Sequence, residues 1–405
     1  MTRARPFTAL VPFEEALARA MASVRPVDRV EEVPLDEALD RVLARDVTSE
    51  VDVPSFDRAA MDGYAVRAQD TYGASDLGPV KLVPVGTVHA GQVPPSSVGE
   101  GEAMYVATGA MRPDGADAVV MVEYTEEVAD GVLVRRPVHP GENVSRRGGD
   151  VAMGSVPLRA GMELGASRVG TAAAVGLTRL AVYERPVVAV AATGDEVCPV
   201  GADLGPGQVY DINTYTISAA VKQAGGVPRP MGLVEDTEEA LLSALDEALS
   251  HSDMVVFTGG SSVGERDLLV DVFGRRGEVL FHGVMVKPGK PVLAADCGGK
   301  LALGLPGYPT SCLTSGSLFL DPILAALGRR AEVPRRSVRA EMGRRLVSTI
   351  GRTHITTVRL EGGIAMPAFK ESGAITSMAE ADGYVIIPSN VDLVDKGETV
   401  VVFLL

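Results

Sequence analysis

Polar residues and glycines follow each apolar run in the second half of the chain. Asp195-Glu196 come after PVVAVAATG, Glu235-Asp236 after PMGLV, and residues 261–267 after MVVFTGG. A fourth run ends in Leu305-Pro306-Gly307. If these runs are strands of one parallel sheet, their carboxyl ends meet at one edge, where open α/β sheets bind their ligands.

Glycine and serine at these strand ends are suited to binding an anion, although a tight turn can have the same composition. Their backbone N–H groups can close on phosphate together with helix N-termini. The chain has no G-x-x-x-x-G-K-[ST] P-loop and no spaced glycines of a dinucleotide fingerprint, which disfavours ATPase and dehydrogenase functions. The predicted binding residues are Thr193, Gly194, Gly259, Gly260, Ser261, Ser262, Gly264, Pro306 and Gly307.

Lysine is rare in this chain and two lysines stand close together. Of seven lysines, Lys287 and Lys290 both fall in the segment KPGKP. The Pro-Gly pair fixes a turn that can present both ammonium groups to one anion. The alternative is a solvated hairpin tip.

Carboxylates at the same strand ends would repel an anionic ligand unless a divalent cation lies between them. Glu196, Asp236 and Asp267 are hard oxygen donors of the kind that Mg²⁺ prefers. The sequence therefore predicts a Mg²⁺ site formed by these three residues. Asp236 has a second interpretation as a helix cap, because Glu239 follows three residues later as in a capping box.

A third polar cluster, PSFDRAAMDGYAV, covers residues 54–66 and contains Asp57, Asp62 and Gly63. It breaks the chain between apolar segments, and a structural turn is the default interpretation. Composition does not indicate what it would bind.

The elements that must position these residues follow a changing pattern along the chain. Phe13 to Val24 and Leu35 to Leu43 have helical spacing, which predicts two amphipathic helices in the first 45 residues. Short β-branched runs with Gly, Pro and Asp turns then predict a β-domain over 51–141. The mixed, partly helical stretch 142–180 suggests that the chain returns to its first domain.

Strands and helices alternate from about residue 185. The apolar runs named above alternate with the helical stretches NTYTISAAVKQAGG, TEEALLSALDEALSHS, DLLVDVFGRRG and TSCLTSGSLFLDPILAAL. This order predicts a doubly wound α/β domain over 181–332. Residues 333–405 consist of strands and glycine turns without a convincing helix, which indicates a small C-terminal β-domain.

Charge and composition limit the classes of function. The chain has 405 residues, a net charge of −15 and 46% apolar residues. An acidic body disfavours nucleic acid and anionic membrane as partners, because such binding depends on neutralising phosphates. Three cysteines without paired spacing are expected to be free thiols in a reducing cytoplasm. The sequence shows no signal peptide and no apolar run of about 18 residues, so no transmembrane helix is expected.

Seven motifs in order give the chain a resemblance to a known family. They are PSFDRAAMDGYAV, VATGAMRPDGADAVVMVE, GENVSRRGGD, TGDEV, TGGSSVGERD, KPGKP and LPGYPTS. The chain resembles the MoeA-type molybdopterin molybdenumtransferases, the family that includes the E domain of gephyrin. The resemblance implies an elongated homodimer of four-domain subunits: a helical/linker domain (1–50 and 142–180), an inserted β-domain, an α/β molybdopterin-binding domain and a barrel-like C-terminal β-domain.

The family's reaction inserts molybdate into adenylylated molybdopterin and releases AMP, with Mg²⁺ or a similar divalent ion. The resemblance places the family's functional residues at Asp62, Thr108, Asp150, Glu196, Asp236, Asp267 and Lys287. It implies that the MDGYA and ATGA segments of one subunit complete the site of the other. It also implies molybdopterin adenylyltransferase and molybdoenzymes as further partners.

The chain departs from the family pattern at three places. Gly283 stands where many members have a lysine, Tyr308 makes LPGYP of the common LPGNP, and Arg359 and Ser372 are only the nearest candidates for the arginine and serine of the C-terminal domain. These departures leave the choice between molybdate and tungstate open. Two other functions remain as alternatives: a molybdopterin adenylyltransferase, which shares the α/β fold, and a non-catalytic scaffold like part of gephyrin.

Overall fold

The structure, a computed structural model, describes residues 10–260, 268–331, 335–368 and 373–405. The described chain divides into two compact units. One comprises residues 32–39 and 43–182 and is called the β-unit here. The other comprises the remaining described residues and is called the α/β unit.

The described residues form seven α-helices, which are α1 Phe13–Ala22, α2 Ala166–Ala174, α3 Asn213–Gln223, α4 Glu238–His251, α5 Leu268–Arg276, α6 Pro309–Leu327 and α7 Thr376–Ala379. The strands are β1 Val30–Pro34, β2 Arg58–Ala59, β3 Gly63–Val66, β4 Val80–Val88, β5 Glu102–Val106, β6 Ala118–Met121, β7 Thr125–Val128, β8 Gly131–Val134, β9 Val144–Ser145, β10 Arg179–Tyr183, β11 Val187–Thr193, β12 Val197–Cys198, β13 Val209–Tyr210, β14 Val227–Val234, β15 Met254–Thr258, β16 Glu278–His282, β17 Val286–Lys287, β18 Leu293–Asp296, β19 Leu301–Leu305, β20 Ser337–Met342, β21 Leu346–Val347, β22 Thr353–Glu361, β23 Ile364–Pro367, β24 Gly383–Ile387, β25 Leu393–Val394 and β26 Thr399–Leu404.

A six-stranded sheet forms the centre of the α/β unit, in the order β14-β11-β15-β19-β18-β16. The first four strands are parallel, and β18 and β16 extend the sheet in antiparallel pairing. Residues of α1, α3 and α6 share one hydrophobic core with this sheet, and residues of α4 and α5 share another. Helices on both faces confirm the predicted doubly wound fold, which explains why β11 and β15 are apolar along their length.

Helix α6 begins at Pro309, directly after Tyr308 as its N-cap, as the first-turn proline predicts. By length and composition, α6 could cross a membrane, but 61% of its most apolar window is buried inside the protein. Phe319, Leu320 and Ile323 are fully buried against the sheet. This is the environment of the core helix of a globular domain.

The C-terminal β-domain is a closed barrel. Its strands follow the order β22-β23-β20-β26-β24, and β24 pairs again with β22. β17 joins β22 in parallel, with Lys287 opposite His354. The segment before KPGKP is therefore anchored to the barrel as well as to the α/β sheet.

The β-unit contains a six-stranded sheet in the order β6-β3-β5-β4-β8-β7. Pairing of β2 with β9, and bridges from Val47 to Leu158 and from Val53 to Val151, join the segments before and after this sheet. Helix α2 supplies Ala172 to a core shared with both segments.

The predicted second N-terminal helix is wrong. Residues 30–34 are a strand and 35–37 a single 3-10 turn. Pro34 holds an extended conformation, and Asp40 has a φ of 60°, which ends any helix. Of the predicted apolar face, Ala38, Val42 and Leu43 are nevertheless buried, whereas Leu39 is 52% exposed. The spacing therefore marked part of a core in an irregular segment and not a helix.

Candidate functional site

The carboxyl ends of β11, β15 and β19 lie against one another. The backbone N–H of Gly259 donates to the Leu305 carbonyl at 3.1 Å. A Cβ at Gly259 would lie 2.1 Å from the Thr193 carbonyl oxygen, and a Cβ at Gly307 would lie 3.5 Å from the Gly259 Cα. Gly259 also has a φ of 90°, which favours glycine. The structure thus brings together Thr193, Gly259 and Gly307 as predicted.

Asp236 is hydrogen-bonded to the end of β11 and is not the N-cap of α4. The Thr193 hydroxyl donates to Asp236 Oδ1 at 3.2 Å. Thr237 is the N-cap of α4, and its Oγ1 accepts from the Ala240 N–H at 3.3 Å. The capping-box interpretation of Asp236 is therefore wrong, because the next residue, Thr237, caps α4. The Asp236 carboxylate lies at the strand ends instead.

Asn213, at the start of α3, belongs to the same edge and was missed from the sequence. Its Nδ2 donates to the Gly307 carbonyl at 2.8 Å, while its Oδ1 is buried without a hydrogen-bond partner among the described residues. Asp211 Oδ1 accepts from the Thr214 N–H at 3.0 Å and so occupies the capping role. A buried unpaired amide oxygen is costly unless a ligand or water completes it. The sequence feature that could have identified Asn213 is that it is a second polar residue, two positions after Asp211.

Glu196 folds back over the end of β11. Gly194 has a φ of 145°, and a Cβ there would lie 2.9 Å from Glu196 Oε2. Glu196 is exposed. Within the described ranges, no three His, Cys, Asp or Glu side chains come close enough together to hold a metal ion. The third predicted ligand, Asp267, lies outside the described residues, as do Ser261, Ser262, Gly264 and Ser372.

The KPGKP loop is held by a close contact with α6. Gly289 is buried with a φ of 108°, and a Cβ there would lie 1.9 Å from the Ser315 Oγ. Lys287 is exposed and forms no ion pair with any residue in the described part of the chain, whereas Lys290 is half-buried. Burial, and after it the charge of Lys287, lowers the pKa of His354 to about 4. The imidazole is therefore neutral at pH 7, so Lys287 carries the positive charge here.

The structure describes the surroundings of two departures from the family pattern. Gly283 has a φ of 95°, a conformation in which a lysine would be strained. The local backbone thus disfavours a second lysine here. Tyr308 is 67% exposed, and a Cβ at Gly373 would lie 3.7 Å from its ring. Its ring is therefore accessible to solvent at the end of β19.

Asp62 and Thr108 form a separate polar pair in the β-unit. Asp62 Oδ1 accepts from the Thr108 N–H at 2.6 Å and from the Thr108 Oγ1 at 2.9 Å. The backbone bond first, and then the hydroxyl bond, hold the pKa of Asp62 below its ordinary value. A Cβ at Gly63 would lie 2.0 Å from the Val120 carbonyl oxygen, so only glycine lets β3 pair here with β6.

Two further predicted residues are not joined to either cluster by a described bond. Asp150 is exposed in the β-unit, and its N–H donates to the Val53 carbonyl at 3.0 Å. Arg359, on β22, lies 3.8 Å from Glu361 in a solvent-exposed ion pair. Neither contact indicates a binding role.

Replacing Thr108 by valine should raise the pKa of Asp62 but leave it below its ordinary value. The variant removes the hydroxyl donor and keeps the backbone donor. Because the folded-state pKa is depressed, the stabilisation is present above the unfolded pKa of about 4 and is lost as the pH falls through the folded value. Thr108→Val should bring the folded-state pKa of Asp62 closer to the unfolded value, so the pH range over which this stabilisation is lost should become narrower. An NMR titration of the Asp62 carboxyl checks it.

Thr125→Val is the matched control, because Thr125 donates to the Val122 carbonyl and not to Asp62. It should leave the titration unchanged. An unshifted Asp62 in Thr108→Val would contradict the assignment.

The fold and site define a multidomain α/β protein with β-rich domains, in which the central sheet has polar residues at its strand ends. Family models match three consecutive regions: the MoeA N-terminal region (domain I and II) at residues 11–176, a probable molybdopterin binding domain at 189–326, and the MoeA C-terminal region (domain IV) at 339–405.

Similar proteins extend over nearly the whole chain. A putative molybdopterin biosynthesis protein from Methanocaldococcus jannaschii is 35% identical over 93% of this chain and 92% of its own length. A molybdopterin molybdenumtransferase from Bacillus subtilis is 32% identical over 98% and 94%. A crystal structure of a molybdopterin biosynthesis MoeA protein from Pyrococcus horikoshii has a TM-score of 0.85 at 32% identity, covering 98% and 100%. The chain belongs to the MoeA family.

Proposed function

We propose that this protein is a molybdopterin molybdenumtransferase, which inserts molybdate into adenylylated molybdopterin and releases AMP. The family and the names of its relatives support this function. The single observation that carries it is the strand-end cluster, in which Thr193, Gly259 and Gly307 touch and the Asp236 carboxylate is bonded to Thr193. Glycines at strand ends and the start of α6 are suited to phosphate.

The residues of this cluster bind and orient the anionic substrate. The Gly259 N–H is bonded to the Leu305 carbonyl, so the start of α6 and Lys287 would supply the donors to a phosphate at this edge. No described carboxylate neutralises the positive charge of Lys287. Asn213 holds the Gly307 carbonyl and keeps one amide oxygen available. The Thr193 hydroxyl orients Asp236, so its carboxylate has a fixed position beside the anhydride.

The donor atoms at this edge fit Mg²⁺. Mg²⁺ takes oxygen ligands, and is usually bound through one or two carboxylates and substrate phosphates, with several waters retained. The Asp236 carboxylate, the Thr193 hydroxyl and the unpaired Asn213 oxygen are such donors. Asp236, with Glu196 and Asp267, would hold the ion, and the ion would neutralise charge on the phosphoanhydride.

The proposal includes a homodimer, in which the segment with Asp62 and Thr108 completes the site in the partner subunit. The Asp62 carboxylate is exposed, and two hydrogen bonds from Thr108 fix its position. It is therefore accessible to a ligand and does not pack in the core. We further propose that the protein works in the cytoplasm, without nucleic acid or membrane, and exchanges substrate and product with molybdopterin adenylyltransferase and molybdoenzymes.

The test is incubation of the protein with adenylylated molybdopterin and Mg²⁺, with molybdate, with tungstate or with neither. AMP release and metal incorporation should depend on the oxyanion, and the two oxyanions should differ in rate. AMP release without dependence on either oxyanion, or none at all, would refute the function. Transfer of AMP from ATP onto molybdopterin would identify an adenylyltransferase.

A further inference from the structure

A cavity of about 460 Å³ lies in the six-stranded sheet of the β-unit. Its walls include Tyr64, Thr87, Tyr105, Glu127 and Val132, whereas neither Asp62 nor Thr108 lines it. The volume is in the range of small-molecule sites, which are about 300–1,000 Å³. Nothing in the proposed reaction uses it.

The sheet register explains why two tyrosine rings share this cavity. Tyr64 on β3 is directly opposite Tyr105 on β5, and Tyr105 is opposite Thr87 on β4. Residues directly opposite in neighbouring strands point to the same face. The two rings meet edge to face with centroids 5.6 Å apart. They form one aromatic wall.

Glu127 forms the opposite wall, and the curvature of the sheet brings it there. Strands β3 and β7 are separated by β5, β4 and β8 in the sheet order. The Tyr64 hydroxyl nevertheless donates to Glu127 Oε1 at 2.6 Å. The sheet therefore curls until its second strand, β3, and its last strand, β7, touch through side chains, and the cavity lies within that curl and is partly open to solvent.

The carboxylate of Glu127 is exposed, and it lacks a counter-ion within the described residues. No lysine or arginine of the described chain lies within ion-pair distance of it. The neighbouring cations are engaged elsewhere, since Lys81 pairs with Asp130 and Arg135 with Glu126. The Tyr64 bond satisfies only one carboxylate oxygen. Burial, and then Glu127, raise the pKa of Tyr64, so its hydroxyl remains a donor.

We propose that this cavity binds a small organic cation, with a guanidinium or ammonium group. Its charge would meet the free oxygen of Glu127, and its flat or alkyl part would lie against the rings of Tyr64 and Tyr105. Cations are attracted to the faces of aromatic rings, and this attraction also acts at sites that are partly open to solvent. A protein with a net charge of −15 adds no general repulsion against such a ligand.

The test is calorimetric titration of the full-length protein with butylguanidine and with its uncharged analogue butylurea. Butylguanidine should give a saturable isotherm, and butylurea should bind about threefold to tenfold more weakly, because it lacks the charge that the exposed Glu127 carboxylate and the tyrosine rings attract. Absence of saturation, or equal binding of the two compounds, would refute the site.

Three variants locate the binding. Glu127→Gln should weaken butylguanidine binding about twofold to fivefold, the loss expected for a solvent-exposed ion pair. Glu126→Gln is the matched control, since Glu126 is on the same strand but pairs with Arg135, and it should bind as the unmodified protein does. Thr87→Arg, at an exposed position of the cavity rim, should also abolish binding, and it covers the case in which Glu127→Gln fails to fold. Full affinity in Thr87→Arg, or equal loss in both glutamine variants, would overturn the proposal.

Discussion

Replacing Gly259 by alanine should abolish AMP release and destabilise the α/β unit. A Cβ at this position would lie 2.1 Å from the Thr193 carbonyl oxygen, which is backbone and cannot rotate away. Strands β11 and β15 would have to separate at their carboxyl ends, where Thr193 orients Asp236. A displacement of about 1 Å in a positioning element can cost about 100-fold in rate, so we expect at least that loss.

The matched control is Gly201→Ala. Gly201 has a φ of 91°, almost equal to the 90° of Gly259, but a Cβ there meets nothing within 4 Å. Both variants incur the strain of a positive φ, about 1 kcal/mol, and only Gly259→Ala adds the collision. Denaturant unfolding should therefore separate them by about 2 kcal/mol or more. Equal stability and equal AMP release in the two variants would show that the strand ends are not closely packed.

Replacing Asp62 by asparagine should reduce AMP release by about 100- to 1,000-fold, as for the loss of one fixed electrostatic group at a reacting centre. The exposed carboxylate contributes nothing to a hydrophobic core, and its depressed pKa keeps it ionised throughout the neutral range. Asparagine keeps the size and an oxygen that can accept from Thr108, but it removes the charge. Turnover should fall while the unfolding midpoint shifts only slightly, because asparagine can still accept from Thr108 but without the charge. The assay is steady-state AMP release with molybdate.

Asp130→Asn controls for loss of an exposed charge in the same unit. Asp130 is also ionised with a lowered pKa, because Lys81 donates to it. This variant should release AMP at the normal rate. If Asp62→Asn were as active as Asp130→Asn, the assignment of Asp62 to the site would be wrong.

The alternation of strands and helices along the chain and the polar residues at the strand ends could be predicted from the sequence, because these features are local. Fully apolar runs such as residues 187–193 have few alternatives to a buried strand. The predicted first-turn Pro309 is correct for the same reason, since proline acts within its own turn. Residues 35–43 show the limit: their spacing predicted a helix, but Pro34 and Asp40 determined a non-helical backbone, in which Leu39 is exposed.

The sequence by itself determined the α/β class, the family and the placement of Asp236, Gly259 and Gly307 at strand ends. Only the tertiary structure decided which of these touch. The bond from Asn213 to Gly307 and the contact of Gly259 with Thr193 join residues far apart in the chain. Such contacts depend on sheet order, register and backbone torsion, which no local pattern encodes. The same is true of Tyr64 and Glu127, which meet only because their sheet curls.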